Sequence, residues 1–312
     1  MTLQNKLEEL KSYMTIDYGE LITNLENFIK EYTKKLDREG VIIGLSGGLD
    51  SAVVAALCER ALGSDEVLAM IMPEADSKKE NVEDAISFAR ELNIETKLID
   101  ITKYLKVIGA HKLFPLNKIP LSKGIKEGIV KKSYKFFEKK DGETPFSTGL
   151  SGLSDAKFNS YIKKTNAYYR AKHRIRMVLL YLYGELENRL IVGAANKTEY
   201  KIGFFVKHGC DDAADIMPII NLYKTQVREL AKYLKIPSKI IEKAPSPDIL
   251  PGLNDEETIG LSYESLDLIL LALEKGWQTE EISDSFQIDN KKVEYVKNLI
   301  EKSEHMRKVY AP

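Results

Sequence analysis

The sequence is poor in cysteine and histidine and has no long apolar run. Its two cysteines, Cys58 and Cys210, lie far apart and in no paired spacing, which excludes a disulfide scaffold, argues against a structural zinc site and fits a reducing compartment. Of the four histidines, His111, His173 and His208 show no metal-ligand spacing and read as structural or surface residues. The opening MTLQNKLEELKSYM carries charge where a signal peptide needs an apolar core, and no later run approaches a membrane span, so a cytoplasmic protein is expected. Charge of one sign is missing as well. The 46 basic and 47 acidic side chains leave a formal charge of -1, and nothing in that total calls for nucleic acid or a membrane surface as partner.

What is present is an alternation of patterns. With 312 residues, 44% of them hydrophobic, the chain can bury a large core. Leu21, Leu25, Phe28, Tyr32 and Leu36 recur at three- and four-residue spacing and predict an amphipathic helix over about 17–37, fit to lie on a core or on a partner subunit. Apolar runs follow, VIIGL at 41–45, VLAMIM at 67–72 and TKLIDI at 96–101, with helical patterns at 51–62 and 80–93 between them. RLIVGAA at 189–195 comes after a strong helical pattern at 167–187. Runs apolar on both faces suit a mostly parallel sheet with helices on both faces and ligands at the carboxyl ends of the strands. The stretches 224–234, 255–275, 279–287 and 290–304 read as a helical C-terminal extension. The expectation is one α/β domain over 1–312.

Residues 103–165 break the pattern. They hold 14 lysines against 5 acidic residues, with Pro, Gly and Ser interspersed, and read as a basic insertion that is either a binding loop or a solvated excursion.

The most informative stretch is Gly44-Leu45-Ser46-Gly47-Gly48-Leu49-Asp50-Ser51, where a buried strand ends and a helix begins. Glycines let the backbone bring its N–H groups close to an anion, the helix start supplies free donors, and Ser46 and Ser51 add hydroxyls. No lysine follows the glycines, so this is not the loop that serves γ-phosphate chemistry. SGGxDS after a strand resembles the pyrophosphate loop of the N-type ATP pyrophosphatases, which cleave ATP between its α- and β-phosphates. In that resemblance Asp50 helps to hold Mg2+.

Further motifs narrow the resemblance. Gly193-Ala194-Ala195-Asn196-Lys197-Thr198-Glu199 is similar to the GTxNKSE motif of NAD synthases. Gly203 to Gly209, Asp215 to Ile219, Leu222 to Thr225, Pro245-Ser246-Pro247-Asp248, Pro251-Gly252, Asp255-Glu256 and Tyr263 follow in the family's order, ending with Ser303-Glu304-His305-Met306-Arg307-Lys308. The likeness covers about 41–101 and 167–312. It implies an adenine nucleotide alpha hydrolase-like, Rossmann-like fold and a homodimer with composite substrate sites. It also implies a ligase that adenylylates the nicotinate carboxylate of deamido-NAD with ATP and amidates it with ammonia, giving NAD, AMP and pyrophosphate.

The chemistry explains the residue types. A carboxylate needs a good leaving group before ammonia can displace it, and the α-phosphorus accepts attack only when its negative charge is masked. The resemblance assigns Asp50 and Glu199 to Mg2+, and Gly44, Ser46, Gly47, Gly48, Asp50, Ser51 and Ala195 to ATP. It sets Lys207 along the triphosphate, with Asp50 and Lys207 as catalytic residues, and brings Arg174, His305, Arg307 and Lys308 to deamido-NAD. A glutamine-using synthase carries a further amidase domain that 312 residues cannot hold, so ammonia, free or from a separate donor protein, is the expected nitrogen source.

Departures from the family pattern cluster on the acceptor side. Gly209-Cys210-Asp211-Asp212-Ala213-Ala214-Asp215 has one residue more than the usual spacing, and the Asn expected upstream of Arg174 is absent. Ile249-Leu250 stands where Leu-Trp is common, and Met306 where a lysine is. The alternative is therefore a paralogue that amidates a different carboxylate. A tRNA-modifying ATP pyrophosphatase would share the first loop and could use the basic segment on RNA, but no CxxC pair for sulfur chemistry is present. The C-terminal periodicity has the look of a helix-turn-helix, yet residues 279–304 hold seven acidic residues against four lysines, the wrong sign for DNA.

Overall fold

Four short parallel strands organise the chain: β1 (Gly40–Gly44), β2 (Val67–Ile71), β3 (Glu95–Leu98) and β4 (Arg189–Val192), in the spatial order β3-β2-β1-β4. The computed structural model describes residues 8–10, 12–113, 123–141, 144–150, 158–244 and 252–311. In the register, Val41 faces Val67 and Leu190, and Ile43 faces Ala69 and Val192. Successive strand side chains point to opposite faces. Val41 and Ile43 accordingly join one hydrophobic cluster while Ile42 joins another, which is the covered, mostly parallel sheet that the apolar runs predict.

The helices follow in order. α1 (Tyr18–Lys35), α2 (Leu49–Leu62) and α3 (Lys79–Glu91) come with the first three strands; α4 (Thr102–Val107), α5 (Lys123–Asp141), α6 (Pro145–Leu150) and the long α7 (Phe158–Leu186) lie between β3 and β4. Asp17 starts α1 by accepting hydrogen bonds from the backbone N–H of Gly19 (2.9 Å) and Glu20 (3.1 Å). α2 is enclosed on almost every side, Ala52 through Cys58 being buried, because the sheet lies beneath it and α1 packs over it. The other face of the sheet meets α7 through Leu179 and Leu180.

After β4 come α8 (Lys197–Ile202), α9 (Lys224–Tyr233) and α10 (Ser238–Ile241), then α11 (Asp255–Ile259), α12 (Tyr263–Glu274), α13 (Thr279–Phe286) and α14 (Asn290–Lys302). The last four build a third core around Leu266, Ile269, Leu270, Ile282, Val293 and Leu299.

Two expectations need correction. The stretch 255–275 is two helices, because Gly260 (φ +85°) ends α11 in the left-handed region and Ser262 caps α12 by accepting from the N–H of Ser265. The third apolar run is not buried on both faces. β3 is an edge strand with Glu95, Thr96 and Leu98 exposed, and its Lys97 pairs with Glu187 at 2.9 Å.

Much of the basic segment is helical. Val130 and Tyr134 of α5 are buried, the Tyr134 hydroxyl donates to the Thr258 carbonyl at 2.6 Å, and Leu150 joins the C-terminal core. Residues 114–122, 142–143 and 151–157 lie outside the described residues, as do Pro245-Ser246-Pro247-Asp248, Ile249-Leu250 and Pro251. Among the described residues no helix is long and apolar enough to cross a membrane.

Candidate active site

The loop after β1 is tied by its own hydroxyls. Ser51 Oγ accepts from Ser46 N–H (3.2 Å) and donates to the Gly48 carbonyl (3.1 Å), while Ser46 Oγ accepts from Gly48 N–H (3.2 Å) and lies 3.0 Å from Ser51 Oγ. Gly47 has φ +76°, and a Cβ there would stand 2.1 Å from the Asn81 carbonyl oxygen, so no other residue fits. Gly48 opens α2 without a side-chain cap, which leaves first-turn donors for an outside anion.

This loop forms one wall of a cavity of about 270 Å3. Gly44, Ser46, Gly47, Gly48, Asp50 and Ser51 line it together with Ala195, Glu199, Arg176, Lys224 and Lys243. The Lys243 ammonium reaches Asn81 Oδ1 at 3.1 Å and pairs with Asp84, which buttresses the loop from the side of α3.

Behind the loop lies a buried charge cluster. Lys224, at the start of α9, donates to Asp50 Oδ2 and, at 3.0 Å, to Glu199 Oε1. Asn196 caps α8 by accepting from Glu199 N–H (3.0 Å), and its side-chain N–H donates to Asp50 Oδ1 at 3.1 Å. The Tyr263 hydroxyl lies 3.0 Å from both Glu199 Oε1 and Asp255 Oδ2. Burial, reinforced by Asp50 and Asp255 and opposed by Lys224, raises the Glu199 carboxyl to about 7. Burial likewise raises Asp255 to about 6, against the opposing charge of Lys224. For Lys224 burial works against the charged form, but Asp50, Glu199 and Asp255 outweigh it and hold the ammonium protonated.

A further buried carboxylate fixes the start of α9. Asp267 accepts from Thr198 Oγ1 (2.5 Å), Thr225 N–H (2.9 Å) and Thr225 Oγ1 (2.7 Å), and Thr198 Oγ1 accepts from Lys224 N–H (2.8 Å). These bonds set the backbone from which Lys224 reaches Asp50.

The NAD synthase family model matches residues 21–127 and 140–310, which takes in both the loop and the charge cluster. The NH3-dependent NAD+ synthetase of Thermotoga maritima is 44% identical over 285 residues, covering 91% of this chain and 96% of that one. The chain belongs to the NAD synthase family. Among solved structures, NMN synthetase from Francisella tularensis has a TM-score of 0.70 at 28% identity, covering 96% of this chain and 99% of that one. The NH3-dependent NAD synthetase from Campylobacter jejuni has a TM-score of 0.66 at 29% identity, covering 95% and 99%. The family match also runs through most of the Lys-rich segment, leaving only 128–139 unmatched within it.

With the NAD synthase pattern in hand, the residues singled out in the sequence fall into two groups. Gly44, Ser46, Gly47, Gly48, Asp50, Ser51, Ala195 and Glu199 meet at the cavity. Lys207 does not line it; its ammonium donates to the His305 carbonyl at 2.8 Å and to that of Lys308, while its own carbonyl accepts from Arg174 at 3.2 Å. Lys207 thus joins Arg174 to the C-terminal segment, where His305 is exposed and Lys308 pairs with Glu304. Arg307 is half-buried and spends its guanidinium on the carbonyls of Tyr200, Lys201 and Ile300 and on Ser303 Oγ, as a clamp for the chain end. Arg174 lines a second cavity of about 640 Å3 on α7, with Arg170, Ile175 and Val178.

Sequence reasoning gave no role to Lys224, Asp255 or Tyr263, although all three lie inside matched motifs. The signal available was their charge or hydroxyl within those motifs.

Proposed function

We propose that this chain is an ammonia-dependent NAD synthase, converting deamido-NAD, ATP and ammonia to NAD, AMP and pyrophosphate. The observation that carries the reading is the convergence, on one cavity, of an anion-binding strand-end loop and the buried Lys224 with its carboxylate partners Asp50 and Glu199. The names of the relatives support the same reaction.

In this reading the loop N–H groups and the hydroxyls of Ser46 and Ser51 hold the leaving pyrophosphate. The acceptor carboxylate attacks the α-phosphorus as the bond to the β-phosphate bridging oxygen breaks. Ammonia then attacks the acyl carbon, the C–O bond to AMP breaks, and a proton leaves the nitrogen.

Asp50 and Glu199 fit a divalent cation. Asp50 and Glu199 both pair with Lys224, the Asp255 carboxyl adds a third acidic group beside them, and its Oδ1 is buried without a hydrogen-bond partner, so acidic groups outnumber the one lysine. Mg2+, held by Asp50 and Glu199, would mask the negative charge of the polyphosphate. Lys224 would keep a fixed positive charge beside it. Lys207, Arg174, His305 and Lys308 form the acceptor side in this reading, and Arg307 holds the chain end that carries two of them. The exposed Val178, Leu182 and Leu186 along α7 favour a homodimer through that helix.

The likeness to an NMN synthetase favours one alternative, a smaller acceptor that lacks the adenylate half. The test is release of pyrophosphate and AMP from ATP and Mg2+ with ammonium, in the presence of deamido-NAD or of nicotinate mononucleotide, with products identified by mass. NAD formed only with deamido-NAD supports the proposal. Turnover of the mononucleotide in its place overturns the acceptor, and turnover of neither overturns the reading altogether.

A further inference from the structure

We propose that His173, Cys210 and Asp211 form a binding site for a borderline divalent cation of the Zn2+ class, separate from Asp50 and Glu199 and independent of which acceptor the enzyme uses. The three residues belong to α7 and to the turn after α8, and all of them line the wall of the nucleotide cavity. Their ligand atoms lie within 4.8 Å of one another. His173 Nδ1 stands 2.7 Å from Asp211 Oδ2 and 3.4 Å from Cys210 Sγ, which lies 3.5 Å from Asp211 Oδ1.

These separations suit a tetrahedral ion. Bonds of about 2.3 Å to sulfur and about 2.0 Å to nitrogen or oxygen place neighbouring ligand atoms roughly 3.3–3.6 Å apart. Cys210 Sγ stands at that spacing from His173 Nδ1 and from Asp211 Oδ1, and the contact of His173 with the other oxygen, Oδ2, need only open by about half an ångström once a single carboxylate oxygen turns to the ion. A nitrogen, a sulfur and a carboxylate oxygen favour Zn2+ or Co2+ over Mg2+, which prefers oxygen.

The site is built, not merely crowded. Cys210 N–H donates to the His173 carbonyl at 3.2 Å, and a Cβ at Gly209 would come 2.9 Å from His173 Cβ, so glycine is what lets the turn approach α7 this closely. His208 is in the left-handed region (φ +58°), and its N–H donates to Asp212 Oδ2 at 2.7 Å. The ring of Tyr169 packs edge-on against His173 with centroids 4.7 Å apart. His173 is 7% exposed, and its Nδ1 is the ring nitrogen that faces both Asp211 and Cys210. Cys210 and Asp211 both fall within the lengthened Gly209–Asp215 stretch. Three protein ligands leave a fourth position open. On binding, Cys210 loses its thiol proton to solvent, and the ion takes the place of the direct His173–Asp211 contact.

Titration of the intact protein with Co2+, in excess Mg2+ so that carboxylate sites are filled, tests this. The expected result is a thiolate-to-cobalt charge-transfer band that saturates at one equivalent and is lost in Cys210→Ser, with Zn2+ competing for the site. Zn2+ should also raise the Tm of the parent protein and not that of Cys210→Ser or Asp211→Asn. Cys58 is fully buried in α2 and supplies no accessible thiolate. Absence of the band in the folded parent, or its persistence in Cys210→Ser, overturns the proposal.

Discussion

Lys224 Nζ stands 3.0 Å from Glu199 Oε1 and also contacts Asp50, so a lysine holds the point on which the two expected metal carboxylates converge. Removing the partner of a buried charge leaves the rest uncompensated and costs about 3–5 kcal/mol. Lys224→Met is therefore expected to lose stability on that scale in urea unfolding. Adding Asp50→Asn should restore part of it. A neutral Lys224→Met would remove the lysine from this account of the cluster.

The raised carboxyls make stability depend on pH. Glu199 moves from 4.5 to about 7 in the folded protein, and Asp255 from 3.8 to about 6, both because burial disfavours the charged form. The folded state therefore binds protons more tightly than the unfolded one. The contribution is fully present below the unfolded values and is lost as pH rises through the folded ones, so stability should fall from about pH 3.8, where Asp255 begins to contribute, to about 7, where Glu199 ends. Glu199→Gln should flatten that fall in unfolding curves collected across the range.

Asp50→Ala and Glu199→Ala should each slow adenylylation by several powers of ten, since metal-assisted charge neutralisation supplies several kcal/mol. Pyrophosphate release measures this, with circular dichroism to confirm the fold. Unchanged rates in folded variants would withdraw the assigned role.

Gly47→Ala forces a Cβ against the Asn81 carbonyl in a left-handed backbone. Strain of about 1–3 kcal/mol should appear as weakened ATP binding by roughly tenfold or more, read by calorimetry. The fold itself should survive, because strain on this scale is small beside the burial of the core, to which the loop's Leu45 and Leu49 still belong.

Val178→Asp combined with Leu182→Asp is expected to abolish the proposed homodimer in analytical ultracentrifugation, because both residues are exposed, at 57% and 47%, on one side of α7. A species of unchanged mass would move the expected interface elsewhere.

The strand-end loop was legible in the sequence because its donors, turn glycines and helix start are consecutive residues, and short-range geometry follows from local chemistry. The charge cluster was legible only in part. Asp50 and Lys224 are 174 residues apart, and no periodicity reports a contact made by folding α9 onto α2. His173 and Cys210, 37 residues apart, were likewise invisible as neighbours, since metal-site spacing rules describe ligands close in sequence. The error at β3 has the same root. An apolar run says that a strand fits a sheet, while its place at the edge depends on which strands pair.

The split of β1 between two cores also bears on how the sequence can drift. Val41 and Ile43 answer to one side of the sheet and Ile42 to the other, all buried, so no position in those three is silent and a one-residue insertion would exchange the two linings at once. β3, with its side chains largely in solvent, carries no such double constraint. Natural variation, labels and engineered attachments should be absorbed there first, at the strand farthest from the loop that β1 presents.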